Sequence, residues 1–247
     1  MATLKNLAKL NASTRADVES YCGQVLAALG SKVRAISAYG SAVGPDFIPK
    51  RSNVNLVVVM DRLDTDSLRP LLGVVKAGLR KRIVAPLLVS PDYLAGARDV
   101  FPIEMIEIRD SHVVLYGDDF FEGLEVPRDQ LRLQCEAQLR SAALRTRQAY
   151  LEMGLAKRGP ERVLHASVTS LVPVFRAILR LKGLAAPRSK LEVVEALGSA
   201  IGVDTGVFAA VLRDKAGDER IEGSDSHRVL AQVVDAIEAV TARLDGM

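Results

Sequence analysis

Apolar positions recur along this chain with two different periods, and the change of period divides it. Through the first half, short β-branched runs alternate with helical stripes. Val18, Tyr21, Cys22, Val25, Leu26 and Leu29 recur at three and four, and Gly30 ends the stripe, which predicts a helix capped from Ser13 or Thr14. Runs at Ala35–Tyr39 and Leu56–Val59 read as strands. A helix is expected from about Leu68 to Lys81, with Leu71, Leu72, Val75 and Leu79 inward. Ile83–Val89 reads as a strand whose Pro86 marks an edge or a bulge. Ser90-Pro91-Asp92 opens a short helix, and Ile106, Ile108 and Val113–Tyr116 read as one or two further strands.

From Pro127 onward every stripe is helical. Arg128–Met153 is one long amphipathic helix with Leu131, Cys135, Leu139 and Ala142 on its apolar side. Pro160 opens a second, running to about Lys182 through Pro173, which is expected to kink it. Ser189 and Glu192 form a capping-box pattern before a third, Asp204 caps a fourth, and Ser224 or Ser226 caps the last. Successive stripes of this kind make a bundle. The expected division is a flexible lead-in over residues 1–13, an α+β domain over 14–126 and an all-α bundle over 127–247.

The stretch from Ala35 to Asp61, AISAYGSAVGPDFIPKRSNVNLVVVMD, carries the candidate chemistry. A strand ends in Gly40-Ser41, a polar loop with Lys50 and Arg51 follows, and Asn53-Val54-Asn55 leads into the next strand. The layout resembles the nucleotidyltransferase superfamily that includes DNA polymerase beta and the aminoglycoside nucleotidyltransferases. That family's signature is a Gly-Ser turn, about a dozen residues, then two acids flanking an apolar residue at a strand start. The resemblance implies a nucleotidyltransferase-like mixed sheet with flanking helices, and a helical bundle after it as in many bacterial members. The tail LYGDDFF (Leu115 to Phe121) resembles the end of the catalytic domain in those proteins.

The chain departs from the signature where the chemistry lies. Paired carboxylates two apart on a strand share a face and bridge two divalent cations that clamp a triphosphate. Asn53 and Asn55 stand at those positions and supply only neutral oxygens, whereas Mg2+ favours charged ones. Asp61 lies six residues beyond Asn55, roughly 20 Å along a strand, too far to substitute. A third acid is implied on the strand after the helix, and Ile83–Val89 contains none. Glu104, Glu107 and Asp110 remain as acids without the family's spacing. These positions predict no catalytic residue and no metal ligand. Gly40, Ser41, Lys50 and Arg51 are the expected phosphate contacts, because glycine admits close approach and the two cations add charge.

The function expected is a degenerate nucleotidyltransferase-fold protein that binds a nucleotide, regulates or scaffolds. The alternative is an active enzyme moving a nucleoside monophosphate from a triphosphate, with Mg2+, to a hydroxyl of a small molecule or protein. A third reading is an assembly protein using the bundle as its surface, so a homo-oligomer or protein partner is expected there.

Composition narrows this further. The 247 residues carry a net charge of only +3, five Tyr, six Phe and no Trp, which disfavours a nucleic-acid stacking platform. Cys22 and Cys135 are isolated with no partner motif, which points to a reducing, cytoplasmic setting and no zinc site. No membrane partner is expected, since the runs that come nearest to a span, such as Ser167 to Leu184, are cut by Arg176, Arg180 and Lys182. Arg158 and His165 lie seven apart, loosely like a pairing in one family of helical-bundle ribonucleases. They, with His112 and His227, are read as structural.

Overall fold

A computed structural model describes residues 3–246. It divides between Val126 and Pro127 into two compact units.

The first unit is built on a four-stranded mixed sheet. Its strands are β1 (Val33–Tyr39), β2 (Asn55–Met60), β3 (Leu87–Val89) and β4 (His112–Gly117), in the order β3-β2-β1-β4. β1 is antiparallel to both β2 and β4, and β3 runs parallel to β2. Alternation along β2 sends Leu56, Val58 and Met60 to one face. There they meet Val18, Cys22, Val25 and Leu29 of α1 (Arg15–Leu29) together with Ile36 and Ala38 of β1. Val57 and Val59 go to the other face. They join Ala35, Val89, Leu94 of α4 (Pro91–Ala97), Met105 and Ile108 of α5 (Pro102–Asp110), Phe121 and Leu124. Buried on both faces, β2 has to be a continuous apolar run, and it is one.

Several local readings change in three dimensions. The helix expected over 68–81 is two pieces, α2 (Thr65–Leu68) and α3 (Leu71–Leu79), because Pro70 has no N–H with which to continue the hydrogen-bond ladder. Leu71 is buried, but Leu72 and Leu79 are 69% and 56% exposed. The inward position is instead Gly78, where a Cβ would fall 2.4 Å from the Tyr21 ring. Residues 102–110 are helical rather than extended: Pro102 occupies the first turn, and Ile103, Met105, Ile106 and Ile108 are buried as i,i+3 pairs. Three alternating residues are too few to separate the two periods. Pro86 lies just before β3, which is an edge strand.

The lead-in expected to be flexible is tied down from Lys5 onward. The Lys5 N–H donates to Leu115 O (2.8 Å), Asn6 Nδ2 donates to Val114 O (2.9 Å), and Leu10 is buried. It thereby covers the free edge of β4, which would otherwise expose unpaired backbone groups. Met1 and Ala2 lie outside the described residues.

The second unit comprises α6 (Arg128–Met153), α7 (Gly159–Leu181), α8 (Lys190–Ile201), α9 (Gly206–Ala216) and α10 (Ser226–Asp245). α7 packs on the other four helices and runs through Pro173 without interruption. By length and hydropathy it could cross a membrane, but 56% of its most apolar window is buried inside the protein. Ser189 makes no side-chain cap bond, so the capping box does not form; Asp204 Oδ1 does accept the Gly206 N–H (2.8 Å).

Candidate functional site

The candidate site lies where β1 ends and β2 begins. Tyr39 closes β1, and the chain turns through a 3-10 turn, Gly40–Val43. Gly40 has φ +74°, a backbone region open to glycine and strained for other residues. A Cβ on it would stand 3.2 Å from Asn55 Nδ2, so the Gly-Ser turn and Asn55 are packed together. Gly40 N–H donates to Ser111 O (3.1 Å), which pins the turn to the start of β4.

The loop that follows is ordered by its own bonds. Phe47 is buried in the α1-side core, Ser52 Oγ accepts the Ile48 N–H (2.9 Å), and Ser52 N–H donates to Ile48 O (2.8 Å). This closed turn holds Lys50, at φ +63°, and Arg51 on the surface. The loop returns through Asn53, exposed and just ahead of the strand, Val54, buried in a parallel bridge with Ile83, and Asn55, half-buried as the first residue of β2.

Arg82 completes this arrangement. It follows α3 with φ +59°; its carbonyl accepts the Val54 N–H (2.8 Å) and its N–H donates to Leu79 O (3.2 Å). Its guanidinium Nη1 donates to Arg51 O (3.1 Å) and reaches Asn53 Oδ1 at 3.5 Å. A positive charge thus occupies the position next to Asn53. The sequence pattern places Arg82 only on the solvated end of a helix. No local signal marks it, because the parallel bridge that carries it to Asn53 joins residues 29 apart.

The same row of the sheet extends to β4: Asn55 pairs with Tyr39, and Tyr39 with His112. Residues opposite one another in adjacent strands share a face. Burial raises the Tyr39 hydroxyl above its usual pKa. His112 Nδ1 lies 3.0 Å from Arg109 O, and its Nε2 is 3.0 Å from both oxygens of Asp119. Asp119 Oδ1 also accepts the Phe121 and Glu122 N–H groups (2.9 and 3.1 Å). Burial pushes the Asp119 carboxyl up, but those two N–H groups and His112 together outweigh it and hold the carboxyl below its usual range. His112 is therefore a member of a bonded pair rather than a lone residue, and the acid of LYGDDFF that holds it also closes the turn after β4.

The remaining acids stand elsewhere. Asp61 is at the far end of β2, paired with Arg34 (3.0 Å). Glu104 is exposed and Glu107 half-buried on α5, both engaged in interactions of their own. β3, Leu-Leu-Val, brings no carboxylate beside Asn55. The arrangement offers two carboxamides, a guanidinium and a glycine turn, which suit an anion. It does not offer the clustered negative charge that a pair of divalent cations requires.

No protein-family model matches the chain, and no curated protein matches it in sequence. Among solved structures it is similar to spectinomycin adenyltransferase AAD(9) from Enterococcus faecialis, solved with ATP and spectinomycin. The TM-score is 0.61 at 13% identity, over 93% of this chain and 99% of that one. It also aligns with a nucleotidyltransferase-like protein from Exiguobacterium sibiricum at a TM-score of 0.35 and 14% identity, over 93% of this chain and 73% of that one. The first likeness establishes the fold: an α+β nucleotidyltransferase-like unit followed by a helical one. The second is too distant to add to it.

Proposed function

We propose that this protein keeps the nucleotidyltransferase fold as a nucleotide- or phosphate-binding module and does not carry out metal-dependent nucleotidyl transfer. The observation that carries this reading is Arg82 beside Asn53, with Nη1 3.5 Å from Oδ1. A catalytic cation beside residue 53 would have to share its surroundings with that guanidinium. Like charges in close proximity repel, whereas a phosphate oxygen there would gain a charge-assisted hydrogen bond. In this reading Gly40, Ser41, Lys50 and Arg51 supply the phosphate contacts, and Asn53 and Asn55 are neutral hydrogen-bonding groups where the family carries its acids. The alternative, an active transferase, draws support only from fold similarity to an enzyme solved with ATP.

The test is thermal stability of the whole chain with each nucleoside triphosphate, with and without Mg2+. A ligand that binds only the folded state adds about 2.7 kcal/mol at a hundred times its dissociation constant. A rise independent of Mg2+ and reduced in the Arg82→Ala variant supports the proposal. A rise that depends on Mg2+, with turnover of the nucleotide, overturns it in favour of the enzyme.

A specific observation supports a protein partner on the bundle. Leu133, Leu144 and Leu151 of α6 are 54%, 62% and 84% exposed, and their spacings of 11 and seven align them on one side of the helix. Sedimentation of the wild type against a variant with Leu144→Glu and Leu151→Glu tests self-association through this stripe. Both cysteines are free and buried, consistent with the reducing cytoplasmic setting proposed.

A further inference from the structure

A second cluster of chemistry-bearing side chains lies in the helical unit, outside the site described. Glu161 and His165 are one turn apart on α7. Asp214 reaches them from α9, with His165 Nε2 2.5 Å from Asp214 Oδ2. One ligand atom from each of the three residues falls within 4.8 Å of the others. In a tetrahedral zinc site with bonds of about 2.0–2.1 Å, ligand atoms stand about 3.4 Å apart. The three are thus within a small side-chain adjustment of a coordination shell.

We propose that Glu161, His165 and Asp214 form a binding site for a divalent transition metal of the zinc class, open on one side.

The chemistry of the set fits. One imidazole and two carboxylates supply nitrogen and hard oxygen, and three protein ligands leave a position for water or a ligand. Outer support is present for the least exposed member: Asp214 Oδ1 accepts the Ile221 N–H (2.7 Å), leaving Oδ2 directed at His165. Access is present too. Glu161 and Asp214 line a cavity of about 720 Å³ whose wall also includes Arg158, Arg220, Ser226 and His227. Metal binding would replace the His165–Asp214 hydrogen bond with two metal–ligand bonds, His165 binding through Nε2 as the neutral imidazole that carries its proton on Nδ1.

Arg158 is the competitor. Its Nε donates to Glu161 Oε2 (2.7 Å), and its second nitrogen pairs with Oε1. The Arg158 side chain is 71% exposed, and surface pairs of this kind are weak. Removing Arg158 therefore frees a ligand and strengthens metal binding. A purely structural His165–Asp214 pair makes no such forecast.

The experiment is titration of the full chain with Zn2+ against a competing chelator, and with Co2+ followed by its visible d–d bands. The expected result is one ion per chain with tetrahedral-type Co2+ bands. Affinity falls at least tenfold in His165→Ala and in Asp214→Asn, rises severalfold in Arg158→Ala, and stays unchanged in His227→Ala, which alters the same cavity outside the cluster. If either ligand variant unfolds, the wild-type Co2+ spectrum and the Arg158→Ala shift still decide. Absence of saturable binding at about 100-fold excess metal overturns the proposal. So does binding that is indifferent to the His165, Asp214 and Arg158 substitutions.

Discussion

The Arg82 guanidinium stands 3.5 Å from the Asn53 side-chain oxygen, a cation placed where the sequence pattern's resemblance to nucleotidyltransferases implies negative charge. Restoring acids alone should therefore restore metal binding only in part, since Asn53→Asp would first pair with Arg82. Titration calorimetry with Mg2+ should show a modest gain for Asn53→Asp with Asn55→Asp. A further gain, about tenfold or 1.4 kcal/mol, should follow when Arg82→Ala is added. Equal affinity in all three proteins would show that these positions do not face a common site.

Gly40 is required twice, for its φ of +74° and because an added Cβ would stand only 3.2 Å from Asn55 Nδ2. Gly40→Ala should lower stability by about 1–3 kcal/mol in urea unfolding. Any nucleotide-induced rise in melting temperature should shrink with it, because the turn shifts away from Asn55.

Asp119 sets a pH dependence. Its folded-state pKa is depressed, so its stabilising contribution is present above the unfolded carboxyl value, about 3.9, and is lost as pH falls through the lower folded value. The stability difference between wild type and Asp119→Asn should be constant from neutral pH down to roughly 5 and should narrow below about 4. Chemical denaturation across that range measures it.

Tyr21 carries a buried hydroxyl with no hydrogen-bond partner, and burial with the neighbouring Cys22 raises its pKa to about 12. An unsatisfied buried hydroxyl costs rather than contributes. Tyr21→Phe should be neutral or stabilising by up to about 1 kcal/mol, whereas Tyr21→Ala should cost about 3–5 kcal/mol by opening a cavity under Gly78. Calorimetric melting of the two variants separates these outcomes.

Burial also lifts the Cys22 and Cys135 thiols to about 12. The thiolate is the reactive form. Neither cysteine should react with an aromatic disulfide reagent in the folded protein at pH 8, and both should react in denaturant. Absorbance of the released thiol reads this directly.

What could be read from the chain was what short range controls. The period of apolar residues located α1, β1, β2 and the helices after Pro127. Gly40-Ser41 and Asn53-Val54-Asn55 marked the turn and the missing carboxylates, because residue type and spacing are properties of the sequence itself. Local pattern failed at residues 102–110, where three alternating residues fit a strand or a helix and burial of Met105 and Ile108 against β2 favoured the helix. It failed again at Leu72 and Leu79, whose stripe is apolar but turned outward because Gly78 is what fits against Tyr21.

Tertiary structure alone decided the rest, since it depends on residues far apart in the chain. Arg82 meets Asn53 only through the parallel bridge between Val54 and Ile83. His165 finds Asp214 from another helix, 49 residues on. A sequence states which side chains exist and which local backbone they favour. Which charges become neighbours is settled by the packing of the sheet and the bundle.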